Sequence, residues 1–144
     1  MQVNEQEVFS ILTGKISSTI NRALLRAFAS QNLNVTTEQW SVLSCLWHKD
    51  KITQQQLCDL THKDKPSMTR LLDNLEKNKI VVRVAHPTDR RVNLIHLTTK
   101  GAEMKEKITE VVSDVVDKAL NGINAKEIEI SREVLIKIIE NLDD

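Results

Sequence analysis

The sequence predicts a mainly α-helical protein with one small β-hairpin. Three observations carry this. Apolar residues recur at helical spacing over most of the 144 residues. Only within Ile80 to Leu97 is the pattern strand-like, Ile80–Val84 by its β-branched residues and Val92–Leu97 by alternation with period two apart from Ile95. Three glycines in a chain that is 40% hydrophobic describe one helix-rich domain with few breaks.

Val8, Ile11, Leu12, Ile16, Ile20, Leu24, Leu25 and Phe28 form one helical stripe within the span Val3 to Gln31. A helix with so long an apolar face needs a partner, in its own chain or in another subunit. Asn32-Leu33-Asn34 ends it, and Thr36-x-x-Gln39 reads as a capping box for a helix with Trp40, Leu43, Leu46 and Trp47 inward. A short helix from Thr53 to His62, with Leu57 and Leu60 inward, breaks at His62-Lys63-Asp64-Lys65-Pro66. Asp64 is the N-cap of the next helix, with Pro66 in its first turn and Met68, Leu71, Leu72 and Leu75 as its inner face. At about 100° per residue the opposite face carries Pro66, Arg70, Asp73 and Lys77, flanked by Ser67, Thr69 and Asn74.

Strands follow at Ile80–Val84 and Val92–Leu97, joined by the loop Ala85–Arg91 with Arg90 and Arg91 at its tip. Thr98 or Thr99 caps a long helix faced by Met104, Ile108, Val111, Val112, Val115, Val116, Ala119 and Leu120, which Asn121-Gly122 stops. Asn124-x-x-Glu127 opens a last helix with Ile128, Val134, Leu135, Ile138, Ile139 and Leu142 on one side.

Two short helices joined by a tight polar turn, the second with a polar outer face, form a helix-turn-helix able to lay one helix in a DNA major groove. A hairpin tipped with arginine beside it can reach a minor groove or phosphate. The pattern predicts a winged helix-turn-helix over residues 36–98, with residues 1–35 and 99–144 as dimerisation helices, the whole chain 1–144 being one domain. A homodimer with interlocked terminal helices would set two reading helices about one DNA turn apart.

The stretch DKPSMTRLLDNLEKNKIVVRVAHPTDRRVNLIHLTTKG, preceded by NVTTEQWSVLSCL, resembles the MarR family of bacterial transcription regulators. The likeness rests on the TRLLDNLE helix, the D-x-R wing of Asp89 and Arg91, and the L-T-x-x-G exit of Leu97, Thr98 and Gly101. It covers Asn34 to Gly101 by motif and the whole chain by layout. Where that family usually carries glycine between helix and wing, this chain has Asn78-Lys79, with Asn78 expected in the left-handed cap.

The resemblance implies a homodimeric regulator, a repressor, binding a pseudo-palindromic site. In the family the wing arginine meets the minor groove and the aspartate orients the wing, which assigns Arg91 to the groove, Arg90 to phosphate and Asp89 to wing geometry. Ser67, Thr69 and Arg70 are the helix candidates for base or phosphate contacts, with Lys65 and Lys77 on phosphate. A small amphipathic or aromatic ligand is implied in the crevice between the dimerisation helices and the winged module, where Trp40 and Trp47 are candidates.

Charge supports this division. Net charge is zero, but Lys49 to Arg91 holds ten Lys or Arg against six Asp or Glu, whereas Val92 to Asp144 holds seven against eleven. Two tryptophans, two phenylalanines and no tyrosine provide poorly for stacking single-stranded bases, so the expected partner is duplex DNA.

No signal-like or membrane-length apolar run is present, so a cytoplasmic location with no membrane partner is expected. Neither a cofactor nor catalysis is expected. There is no phosphate loop or nucleophile elbow, and His48, His62, His86 and His96 are scattered without paired carboxylates. Three alternatives keep parts of the fold: a winged helix that docks proteins instead of DNA, a zinc site from Cys45-x-x-His48 and Cys58-x-x-x-His62, and a redox-sensing thiol at Cys45 or Cys58. Ordinary packing is the stronger reading of both cysteines, and no metal is expected.

Overall fold

The computed structural model describes residues 4–143, so Val3, where the first helical pattern begins, lies outside them. The chain runs α1 (Glu5–Glu7), a π-helical segment (Val8–Leu12), α2 (Thr13–Ser30), α3 (Thr37–His48), β1 (Ile52–Thr53), α4 (Gln54–Thr61) and α5 (Lys65–Lys77). It continues with β2 (Val81–Ala85), β3 (Asn93–Leu97), α6 (Thr99–Glu103), α7 (Lys105–Ala119) and α8 (Ala125–Leu142).

The first helical stripe is interrupted by the π segment, whose wider turn shifts the phase of α2 relative to α1. Leu24 and Phe28 are buried, Leu12 is half-buried, and Ile11, Ile16, Ile20 and Leu25 are exposed, because only the last turns of α2 meet the core. The side chain of Val8 lies outside the described ones.

The capping boxes at Thr36–Gln39 and Asn124–Glu127 are both closed in each direction, and Asp64 caps α5. In α3 the fully buried residues are Val42, Leu43 and Leu46, while both tryptophans are half-buried, so the inner face is turned toward Val42 from the expected one. In α4, Leu57 and Cys58 are buried and Leu60 is 62% exposed, correcting its expected inward place. The short helix puts adjacent residues 57 and 58 inward, which turns Leu60 to solvent.

The hairpin is part of a three-stranded antiparallel sheet of order β1-β3-β2. Val81 pairs with Leu97 and Ala85 with Asn93, and the unexpected β1 pairs Ile52 with Ile95. Two residues of β1 are too few to show a period in the sequence.

Two motif positions acquire physical reasons. Lys79, not Asn78, takes the left-handed conformation (φ +59°), while Asn78 stays at φ −84°. Lys79 N–H donates to Glu76 O (2.9 Å) and Ile80 N–H to Leu75 O (2.9 Å), the paired bonds of a Schellman stop, so the left-handed place falls one residue later. Asn78 instead bonds Asn74 through its side chain.

At the exit of the hairpin, Thr98 N–H donates to Ile80 O (3.1 Å) and Thr98 Oγ1 accepts from Gly101 N–H (3.1 Å). A Cβ on Gly101 would overlap the Ile80 carbonyl oxygen, which is why this helix start holds glycine. The expected single helix after Thr98 is broken at Met104 into α6 and α7.

Candidate nucleic-acid interface

The turn between α4 and α5 is three residues, His62–Asp64, with His62 left-handed at φ 55°. Asp64 Oδ1 accepts the Ser67 N–H at 2.7 Å. That bond, the Ser67 side chain and nearby Arg70 and Lys63 hold the Asp64 carboxyl below its ordinary value. Met68, Leu72 and Leu75 are fully buried and fix the roll of α5, which leaves Lys65, Arg70 and Lys77 exposed and Ser67 and Thr69 half-buried. Thr69 Oγ1 accepts from Gln54 Nε2 at 2.8 Å, which ties the first turn of α4 to α5.

The wing presents Arg90 and Arg91 to solvent. Asp89 Oδ1 accepts both the backbone N–H (3.1 Å) and the side-chain Nε–H (3.2 Å) of Arg91, a local closure that sets the direction of a side chain 91% exposed. At its base the loop is closed by His86 N–H on Val92 O at 2.8 Å.

Six of the eight DNA-contact candidates fall into two clefts and an outlying pair, while Thr69 and Asp89 line neither cleft. Lys65 and Arg91 line one cavity of about 310 Å³ with Gln54, Gln55 and Asn93, so reading helix and wing face a common space. Ser67 and Arg70 line another of about 510 Å³ between α5 and the start of α3, with Lys63 and Asn74. Lys77 is at the far end of α5, roughly 18 Å from Lys65 by helix rise, and Arg90 sits at the wing tip.

The sequence model of the MarR family matches residues 35–92. The crystal structure of a mutant MarR from E. coli complexed with operator DNA aligns with a TM-score of 0.83 at 26% identity, covering 96% of this chain and 99% of its own. This chain belongs to the MarR family.

Transcriptional regulator PA3341 is 31% identical with a TM-score of 0.80, covering 94% of this chain and 98% of its own. The HTH-type transcriptional regulator MhqR of Bacillus subtilis (strain 168) is 28% identical over 128 residues, 89% of this chain and 87% of that protein. The relatives are transcriptional regulators, not enzymes, and this MarR-family chain is a DNA-binding transcriptional regulator of the winged helix type.

Of the remaining candidates of this MarR-family chain, Trp40, Trp47, Cys45 and His48 lie outside the two clefts of the reading face, whereas Cys58 and His62 line them. Trp40 and Trp47 pack against the core, and the Trp47 indole N–H donates to Gly101 O at 2.9 Å. Cys45 and His48 line a cavity between α3 and α4, whereas Cys58 lines the cleft beneath the wing, so the two Cys-His pairs do not converge. Burial raises both thiols above their ordinary value, at Cys58 with help from Asp59 and Asp64, which disfavours the reactive thiolate.

The sequence gives no sign of the contacts that Gln54 and Arg83 make, and it shows Gln39 only as a capping-box residue. Gln39 Nε2 donates to Asn74 Oδ1 at 3.0 Å, joining α3 to the outer side of α5. Gln54 follows Thr53, whose capping box with Gln56 was a legible sign that its side chain stands at a helix start. Arg83 occupies an inward position of a strand, a place that demands a carboxylate partner.

Proposed function

We propose that this MarR-family chain acts as a homodimer that binds a pseudo-palindromic duplex operator and represses transcription from it. The observation that carries the reading is the shared cleft of Lys65 and Arg91: one helix start and one hairpin tip present cations to a common space, as adjacent grooves of one duplex require. Residues 36–98 form the reading module in this proposal, with Ser67, Thr69 and Arg70 toward base edges or phosphate. Lys65, Lys77 and Arg90 serve phosphate, Arg91 the minor groove and Asp89 the aim of Arg91. Residues 1–35 and 99–144 form the dimer. Ile16 and Ile20 on α2 and Val134, Leu135 and Ile139 on α8 are exposed in the single chain and supply the apolar surface it needs.

Control by a small amphipathic or aromatic molecule belongs to the same proposal. The proposed place is the crevice between the dimerisation helices and the winged module, with the half-buried Trp40 and Trp47 as candidate lining residues. The proposed site of action is the cytoplasm; among the described residues no helix is long and apolar enough to cross a membrane.

The test is selection of duplexes from a random pool, followed by anisotropy titration of the selected sequence at several salt concentrations. Affinity is expected to fall steeply with salt, since each neutralised phosphate releases counterions. No selected sequence and a flat salt response would favour the protein-docking alternative.

A further inference from the structure

Arg83 stands on the inner face of β2, opposite fully buried Ile95 on β3. An arginine there must be neutralised or leave the fold. Its side chain is 18% exposed and is turned onto α5. Nη2 lies 2.7 Å from Asp73 Oδ1, Nη1 donates to Glu76 Oε1 at 3.4 Å, and Nη2 also donates to the Thr69 carbonyl oxygen at 3.4 Å. The Arg83 backbone N–H donates to Glu76 Oε2 at 2.8 Å. β2 is an edge strand, so Glu76 also covers a donor on the open edge of the sheet.

Thr69, Asp73 and Glu76 stand at i, i+4 and i+7, one stripe along two turns of the reading helix. One planar fork on the wing therefore grips the helix at three heights, and a backbone bond adds a fourth point. Thr69 is held from both sides, by Gln54 on its hydroxyl and by Arg83 on its carbonyl.

We propose that Arg83 is a positioning residue that locks reading helix and wing in one phase, so that the protein selects the distance between the bases read by α5 and the narrow minor groove met by Arg91. The inference rests on the DNA reading of the proposed function. Two effects of the guanidinium must be kept apart. Its charge masks Asp73 and Glu76, carboxylates on the DNA-facing helix that would otherwise repel phosphate from any duplex. Its fork geometry fixes the angle between two elements, and only that affects spacing. Lysine retains the charge and loses the fork, because an ammonium is a point charge on a flexible stem.

The experiment uses the full-length protein and three duplexes: the selected operator, the same operator with its flanking A·T tract moved by one or two base pairs, and a scrambled sequence. The wild type should prefer native spacing over the shifted one by about tenfold. Arg83→Lys should bind scrambled duplex within about twofold of wild type while its spacing preference drops below about threefold. A charge-free control, Arg83→Gln with Asp73→Asn and Glu76→Gln, should lose the spacing preference too, although no carboxylate is left bare.

Amide hydrogen exchange without DNA supplies an independent reading: Val81 to Ala85 should exchange faster in Arg83→Lys, with α3 unchanged. An Arg83→Lys protein that keeps both wild-type spacing preference and wild-type exchange overturns the proposal. A wild type that binds no duplex would sink the DNA reading instead, and the exchange measurement would then decide alone whether Arg83 holds the wing to α5, unchanged exchange overturning it.

Discussion

The winged module and the terminal helices are built to opposite rules. From α3 to β3 the apolar side chains close on one another: Leu43, Leu46, Leu57, Met68, Leu72, Leu75 and Ile95 are all fully buried. Several polar groups there are answered within the module, Asp64 by Ser67, Arg83 by Asp73 and Glu76, and Asp50 by Leu97 N–H at 2.9 Å, while the buried His96 Nε2 is left without a hydrogen-bond partner among the described residues. On α8 no residue is buried, and Leu135, Ile136 and Ile139 are each nearly half exposed. The difference teaches where stability comes from. The module holds its reading face with its own core, whereas an isolated α8 of this kind is marginal in water and depends on what covers it. Stability of the whole should therefore depend on protein concentration.

The largest break of this contrast is removal of residues from Ile128 onward. Light scattering should show the full chain at twice its 16.4 kDa mass and the truncated one aggregated, since the apolar faces of α2 and α7 lose their cover. A soluble truncated dimer would place the interface elsewhere.

Next in size is Gly101→Ala, which strikes the self-contained half. The new methyl meets the Ile80 carbonyl and must push α6 from the sheet, costing about 3 kcal/mol in urea unfolding at fixed protein concentration.

Acid should act at the start of α5. A carboxyl held below its unfolded value of 3.8 contributes stability that is present above that value and lost as pH falls through the lower, folded value. Melting temperature should fall more steeply below pH ~4 in wild type than in Asp64→Asn, which keeps a capping oxygen without the titration. The effect is small because the group is fully exposed. The smallest expected change is a gain: Lys79→Gly relieves a left-handed lysine and should stabilise by about 1 kcal/mol in the same urea assay.

How much of this could be read beforehand differs by region for physical reasons. N-terminal caps were legible because they depend on residues three apart in sequence, and Thr36–Gln39, Asp64 and Asn124–Glu127 all form as their spacing implies, whereas the left-handed stop of α5 falls at Lys79 and not at the expected Asn78. The inner face of α5 was legible because four apolar residues agree on one phase. Leu60, β1 and the π segment were not, since a short helix, a two-residue strand and a local change of pitch leave no period to detect. At the candidate site, Lys65, Ser67, Arg70 and Arg91 could be named as polar residues of a recognised pattern, Ser67 half-buried and the other three exposed. The links from Gln54 to Thr69 and from Arg83 to α5 arise from tertiary folding and leave no spacing signature.

The central claim is that α5 reads bases while the wing reads groove shape, and a contrast of two arginines tests it most directly. Competition binding of Arg70→Ala and Arg91→Ala against selected and scrambled duplexes should give different failures. Arg70→Ala should lose about 1 to 3 kcal/mol on the selected duplex, relax one base position per half-site and change the scrambled duplex less. Arg91→Ala should weaken many sequences, most where the flanking minor groove is A·T-rich, and leave the central base preference intact. Both side chains are exposed, so unfolding should shift by less than about 0.5 kcal/mol. Unchanged affinity of Arg91→Ala on every duplex would contradict the assignment of the wing to DNA.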